Sequence, residues 1–380
     1  MKLGKRTITK KEVKKIFLAA VLVWLCLFIV VKVRSCARNM GIGFPDTYLL
    51  AAFDTTDTGG NNSTLIYYDK NFKEVFRQDI SEGNICSDTN PPIIYKDKVY
   101  VAPWGGGFWA NGAVDEVLEI SRITGKQKKY KTGQKGVWGM AVTEDYIFTV
   151  CNSKSAVLAR TNKKDGSVQE LEYKNAFSSQ LDVYDQYLYC FIESEDEQGL
   201  LHTRCCILNI DTMEEVKSFD VTDYGKTPEY TYMKDGILYM PINRTSEGED
   251  CGLLLMYNIE TEELDSVDLG HEMPCQILEY AGKLVVTHTD LHYSDKGEHS
   301  VSIYDPETGN LENYTVESTL DQAFIKDGLL YALDTQEQTI FVYDMDGRGE
   351  KLELKGSYKL KSKDNIFSLY RYYTGGFFMR

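Results

Sequence analysis

Apolar and polar positions follow two regimes along this chain. Residues 16–31, IFLAAVLVWLCLFIVV, are sixteen consecutive apolar residues, and Val33 prolongs the run beyond Lys32. With Lys15 and Lys32 able to snorkel, such a helix reaches across roughly 30 Å of hydrocarbon. From residue 46 onward no helical periodicity is sustained. Short runs rich in Tyr, Phe, Val, Ile and Leu are cut by Gly, Asp and Asn, the pattern of strands joined by tight turns.

Those strands repeat. One turn-and-strand unit reads KDKVYVAP, TEDYIFTV, YDQYLYCF, KDGILYMP, YAGKLVVT, KDGLLYAL and TGGFFMR. It aligns Tyr100, Phe148, Tyr189, Tyr239, Val285, Tyr331 and Met379, at spacings of 48, 41, 50, 46, 46 and 48. A later hairpin recurs as LIYYDKNFKEV, LEISRITGKQK, LARTNKKDGSV, ILNIDTMEEV, LMYNIETEEL, SIYDPETGNL and FVYDMDGRGEK. One sheet of this kind cannot bury both faces alone, so a four-strand period of roughly 40–50 residues predicts propeller blades. The expected fold is all-β, a seven-bladed β-propeller over residues 46–380. Both chain ends are expected to share one blade, with YLLAAFD as its second strand and IFSLYRYY as its first. GGFFMR is then surplus or doubles an edge, and eight blades is the alternative count.

On these hairpins the chain resembles the quinoprotein-like and WD40-like propeller superfamily across residues 46–380. The run Ile303-Tyr304-Asp305-Pro306-Glu307-Thr308-Gly309-Asn310-Leu311 is similar to the Asp-x-x-Thr-Gly turn of quinoprotein-type repeats. The tryptophan that often ends those repeats is absent, with Tyr314 near its place, and the Gly-His and Trp-Asp signature of WD40 repeats is missing. The resemblance implies architecture and hardly any activity.

Charge sets the expected topology. Seven basic residues precede the apolar run, against Glu12, and only Lys32, Arg34 and Arg38 follow it. That asymmetry predicts a cytoplasmic tail (1–15), a transmembrane signal-anchor helix (16–33), a linker (34–45) and a propeller outside, extracellular or periplasmic. The alternatives are cleavage near Ser35-Cys36-Ala37 or lipidation at Cys36, both disfavoured by Lys32 and Arg34. Residues 1–38 carry ten basic residues and one acid, so of the net charge of −15 the remainder holds −24. An acidic domain repels nucleic acid and anionic lipid, which argues against nucleic-acid partners. The cysteines show no regular spacing and no CxxC pair, and Cys190 could face Cys205 or Cys206 across one hairpin.

Candidate chemistry is sparse. His288, His292 and His299 share one loop with Asp290 and Asp295, a candidate metal cluster or a solvated loop. Asp344 to Glu350 superficially suggests a calcium loop and is equally explained as a hairpin turn. The vicinal pair Cys205-Cys206 resembles the adjacent cysteines of some quinoprotein dehydrogenases but opens a strand rather than a loop. Trp104-Gly105-Gly106-Gly107-Phe108-Trp109 is a ligand platform or a loop folding its own aromatics inward.

No nucleophile, triad or carboxylate pair emerges, and no cofactor is implied. The expectation is a binding or scaffold module for a peptide, glycan or envelope protein. A glycan-active or quinone-dependent enzyme is the alternative. Long connections between second and third strands, and between blades, should share one face, with tight turns on the other. That face should hold Trp104, Trp109 and Trp138. Gln180, Gln276 and Gln322, at equivalent starts of innermost strands, should rim the channel there or bridge neighbouring blades.

Overall fold

A computed structural model describes residues 10–56, 62–85, 91–103, 114–152, 154–178, 180–289, 299–346, 349–362 and 372–380. Among these the strands assemble into seven antiparallel sheets, arranged as the blades of a propeller. Blades 2, 3, 5, 6 and 7 are consecutive four-stranded meanders, starting at Ile93, Val137, Tyr232, Pro274 and Gln322. Blade 4 starts at Leu181 and gains a short extra strand, Ala176–Phe177, which pairs with Glu193 and Ser194.

Blade 1 is composite: Tyr372–Met379 is its innermost strand, followed outward by Leu50–Thr56, Ser63–Tyr68 and Glu74–Ile80. Ring closure by both chain ends is therefore as expected, and the count is seven blades. The identity of the closing strand is not as expected. The described closing strand is YYTGGFFM, residues 366–371 of the expected IFSLYRYY lying outside the described residues, so GGFFM is structural and Met379 pairs with Leu50 instead of occupying a second-strand position. The reason lies in side-chain alternation. Phe377 points into the interface with blade 7 and Phe378 into that with blade 2, both fully buried, while a register shift at Phe53/Asp54 accommodates the Gly pair.

The core is divided the same way all round. Each of seven apolar clusters combines residues from two neighbouring blades, so every blade is buried on both faces. Middle strands such as Ser63–Tyr68 are buried at every position. Outermost strands such as Glu353–Lys359 alternate half-buried with exposed residues. Burial on two faces explains why the inner strands read as continuous apolar runs and the outer ones as polar.

The tight turns carry the repeat. At Asp235-Gly236, Ala281-Gly282 and Asp327-Gly328 both turn residues have positive φ, the two-residue hairpin geometry whose twist matches the strands. In the outer hairpins the first turn residue caps the next backbone amides. Asp305 Oδ1 accepts from Glu307 and Thr308, and Asn162, Asn209 and Asn258 do the same in their blades.

All these turns lie on one face, where the chain also enters and ends. Leu49 donates to Tyr68 O and accepts from Arg380 N. Before it, Phe44 packs edge-on against Tyr48, Tyr67 and Phe76, at 5.8, 5.1 and 5.5 Å between ring centroids. An N-terminal helix, Lys10–Asn39, precedes this contact. Among the described residues no helix is long and apolar enough to cross a membrane.

Candidate functional site

The opposite face carries the mouth of the central channel. Innermost strands of blades 2 and 5 are short, Ile93–Tyr95 and Tyr232–Lys234, against seven residues in blade 6. On that side of the ring the channel widens into a cavity of about 580 Å³. This size suits a small ligand or a few side chains of a partner.

The wall is amphipathic. Ile93, Met140, Trp138, Phe177 and Tyr230 supply its apolar part, with Trp138 edge-on to Phe177 at 5.4 Å. Charged groups come from the second strands of blades 4 and 5 and the connection between those blades: Glu193, Arg244, Lys226 and Glu229. Glu193 Oε1 accepts from the Thr227 amide at 2.7 Å, which ties that connection to blade 4. Arg244 is held by Asp250 and by the Gly248 carbonyl.

Asp182 sits on the channel wall. Its Oδ1 accepts from Val183 N at 2.7 Å and its Oδ2 from Thr231 Oγ1 at 2.9 Å. Burial pushes its carboxyl up to about 6, against the lowering effect of those two bonds. A carboxyl poised there changes charge readily when a cationic or hydrogen-bonding group arrives.

The residues singled out in the sequence divide by location. Trp138 and Gln180 line the cavity. Gln180 Nε2 also donates to Thr231 Oγ1 at 3.2 Å, bridging blades 4 and 5 next to Asp182. Gln276 and Gln322 are engaged in the ring itself. Gln276 exchanges two bonds with Ala323 of blade 7, and Gln322 Oε1 accepts from Phe377 N of blade 1 at 2.7 Å. Neither lines the cavity. Trp104 and Trp109 lie outside the described residues, as does His292. His288 is buried between the Glu272 carbonyl and Ser302 Oγ, at 2.9 and 2.8 Å, whereas His299 is exposed. Among the described residues no three His, Cys, Asp or Glu side chains converge as metal ligands.

The cysteines lie away from the cavity. Cys205 and Cys206 are buried on opposite faces of blade 4, in the clusters shared with blades 5 and 3. Cys190 faces Cys206 across the hairpin as a free thiol, and burial pushes both up to about 12. Such thiols are poor nucleophiles.

Asp182, Glu193, Lys226, Tyr230 and Arg244 were not foreseen. A signal for Asp182 exists in the repeat. Opposite the aligned second-strand position, blades 2 to 7 place Ile93, Ala141, Asp182, Tyr232, Leu278 and Phe324, so one acid interrupts an apolar column.

No protein-family model and no curated protein matches the chain. Solved structures do match it in shape. The β-propeller domain of Cps50 (Swd1) from Myceliophteria thermophila aligns over 73% of this chain and 88% of its own, with TM-score 0.50 and 10% identity. BamB from Moraxella catarrhalis aligns over 81% of this chain and 82% of its own, with TM-score 0.46 and 10% identity. The chain is a β-propeller. At 10% identity the likeness shows the fold alone.

Proposed function

We propose that this chain is a membrane-tethered, extracytoplasmic propeller that binds a segment of a partner protein in the channel mouth. The observation carrying the binding reading is the cavity bounded by blades 2 to 5. A large aromatic wall meets both signs of charge there, on a rigid ring. Aromatic side chains beside desolvated polar groups are the usual anchors of protein recognition. A peptide supplies apolar side chains and backbone donors and acceptors together, which suits both halves of this wall better than a sugar does.

The anchor reading rests on residues 16–33 and their basic flank. It is supported by the helix Lys10–Asn39, along which Phe17, Leu18, Leu22, Trp24, Phe28 and Ile29 are all at least half exposed. A helix apolar on every side needs a non-aqueous surround.

Site-specific photo-crosslinking in native membranes tests the binding reading. A benzophenone amino acid at position 177, on the cavity wall, should give protein adducts, and the same probe at position 327, on a tight turn, should not. Trp138→Ala with Tyr230→Ala should reduce the adduct from position 177 about tenfold. Adducts from position 327 alone, or adducts from 177 indifferent to both alanines, would sink this choice of face.

A further inference from the structure

The acidic balance of the domain conceals a basic sector. Residues 91–174, which form blades 2 and 3, contain 13 Lys and Arg against 9 Asp and Glu, or +4. The rest of residues 39–380 therefore holds −28 of the −24 total. Part of this basic charge gathers on the tight-turn face, in a groove of about 340 Å³ between the two blades.

Lys96, Lys98, Lys128, Lys163 and Lys164 line that groove, with Asp97, Glu144 and Asp145 among them. Two of the five are neutralised locally: Lys96 pairs with Glu144, and Lys98 with Glu119 at 2.9 Å. Among the described residues the other three have no carboxylate in ion-pair range. Lys163 is the unusual one. It is half-buried, its Nζ donates to Tyr100 Oη at 2.9 Å and to the Thr143 carbonyl, and it sits 4.5 Å from the Tyr100 ring centroid. Burial brings its ammonium down to about 8, while Glu119, Glu144 and Asp145 favour its charged form.

The position of the groove says which anion. The chain enters the propeller beside it: a Cβ on Gly41 would meet the Thr124 carbonyl of blade 2, and Tyr48 donates to the Arg122 carbonyl at 2.9 Å. Arg122 in turn donates to the Lys96 carbonyl. The segment joining helix to propeller is thus seated at the basic sector, on the face turned toward whatever holds the helix.

We infer that this groove binds the phosphate headgroups of anionic phospholipids. The propeller then lies with its tight turns against the bilayer and its channel mouth away from it. This rests on the anchor reading given above. Polybasic surfaces next to a membrane gain about fivefold in association per lysine, and the gain is screened by salt.

The full-length chain is reconstituted into vesicles of phosphatidylcholine alone and of phosphatidylcholine with phosphatidylglycerol. Backbone amide exchange is followed at residues 94–101 and 161–168. Phosphatidylglycerol should slow exchange there about tenfold and leave residues 245–249, on the other face, unchanged. Combined Lys96→Gln, Lys128→Gln and Lys164→Gln, all exposed positions, should abolish the difference. Equal exchange in both vesicle types, or protection that survives the triple variant, overturns the proposal. Inorganic phosphate giving the same protection on phosphatidylcholine overturns the lipid assignment. An alkaline wash tests the anchor separately. If the chain washes off phosphatidylcholine, the anchor fails, and vesicle association at neutral pH and low salt that needs phosphatidylglycerol and is lost in the triple variant would still support the groove.

Discussion

At the residue scale the informative group is Asp182, the one acid in the column of innermost-strand residues facing the aligned second-strand positions. Its carboxyl is raised to about 6 from an ordinary value of 3.8, chiefly by burial. A carboxyl raised in the folded state binds its proton more tightly there than in the unfolded chain. Its contribution to stability is therefore complete below about pH 4 and is lost as pH rises through about 6. Asp182→Asn should leave stability near pH 4 almost unchanged. Above pH 6.5 it should raise stability by on the order of 1–3 kcal/mol, the upper end being the full shift of the buried carboxyl. Thermal melts of both proteins across that range check it, and parallel melting curves would show that the carboxyl is not desolvated. The same variant keeps the Val183 amide bonded, so a lost fold is not the expected outcome.

At the element scale the closing strand, Tyr372–Met379, holds the ring together. It pairs with Leu50–Thr56 along its length, and its two phenylalanines are shared between neighbouring interfaces. Phe378 packs against Phe53 at 5.8 Å between ring centroids, and Phe377 against Phe324 at 4.9 Å. Phe378→Ala should cost about 3–4 kcal/mol, read from denaturant midpoints, as expected for a fully buried aromatic in a rigid surround. Removing the strand from residue 372 onward exposes the edge of Leu50–Thr56 and opens two interfaces at once. Loss of cooperative unfolding or aggregation should follow, whereas a truncated chain with an unchanged melting transition would refute closure by both ends. The repeat made this strand hard to recognise. Gly375-Gly376 mimics a hairpin turn, so FFM aligned with second strands, yet pairing with Leu50 makes it a first strand.

At the scale of the whole molecule, both chain ends and all the tight turns share one face, and the cavity opens on the other. With a helix at the N-terminal end, that polarity orients the ring. Protease added to intact cells, with any wall removed, should digest the chain beyond about residue 40 and spare the basic tail. A propeller protected until lysis would reverse the topology inferred from the lysines and arginines around residues 16–33. The charge map belongs to this scale as well. The average over residues 39–380 argued against anionic surfaces altogether, because summation hides that blades 2 and 3 are basic and stand beside the chain entry.

The sequence by itself determined the architecture. Strand spacing, turn residues that need positive φ or cap their own amides, and inner strands apolar on both faces are local or periodic properties, and each of them points to blades. Trp138 and Gln180, both read from the repeat as starting innermost strands, line one cavity. What only the tertiary structure decided was which equivalent positions differ in use. Gln180, Gln276 and Gln322 occupy one register and each bonds to the next blade, yet only Gln180 also lines the cavity. Likewise the cavity's Glu193, Lys226 and Arg244 come from separate strands and connections that only the closed ring brings around one opening.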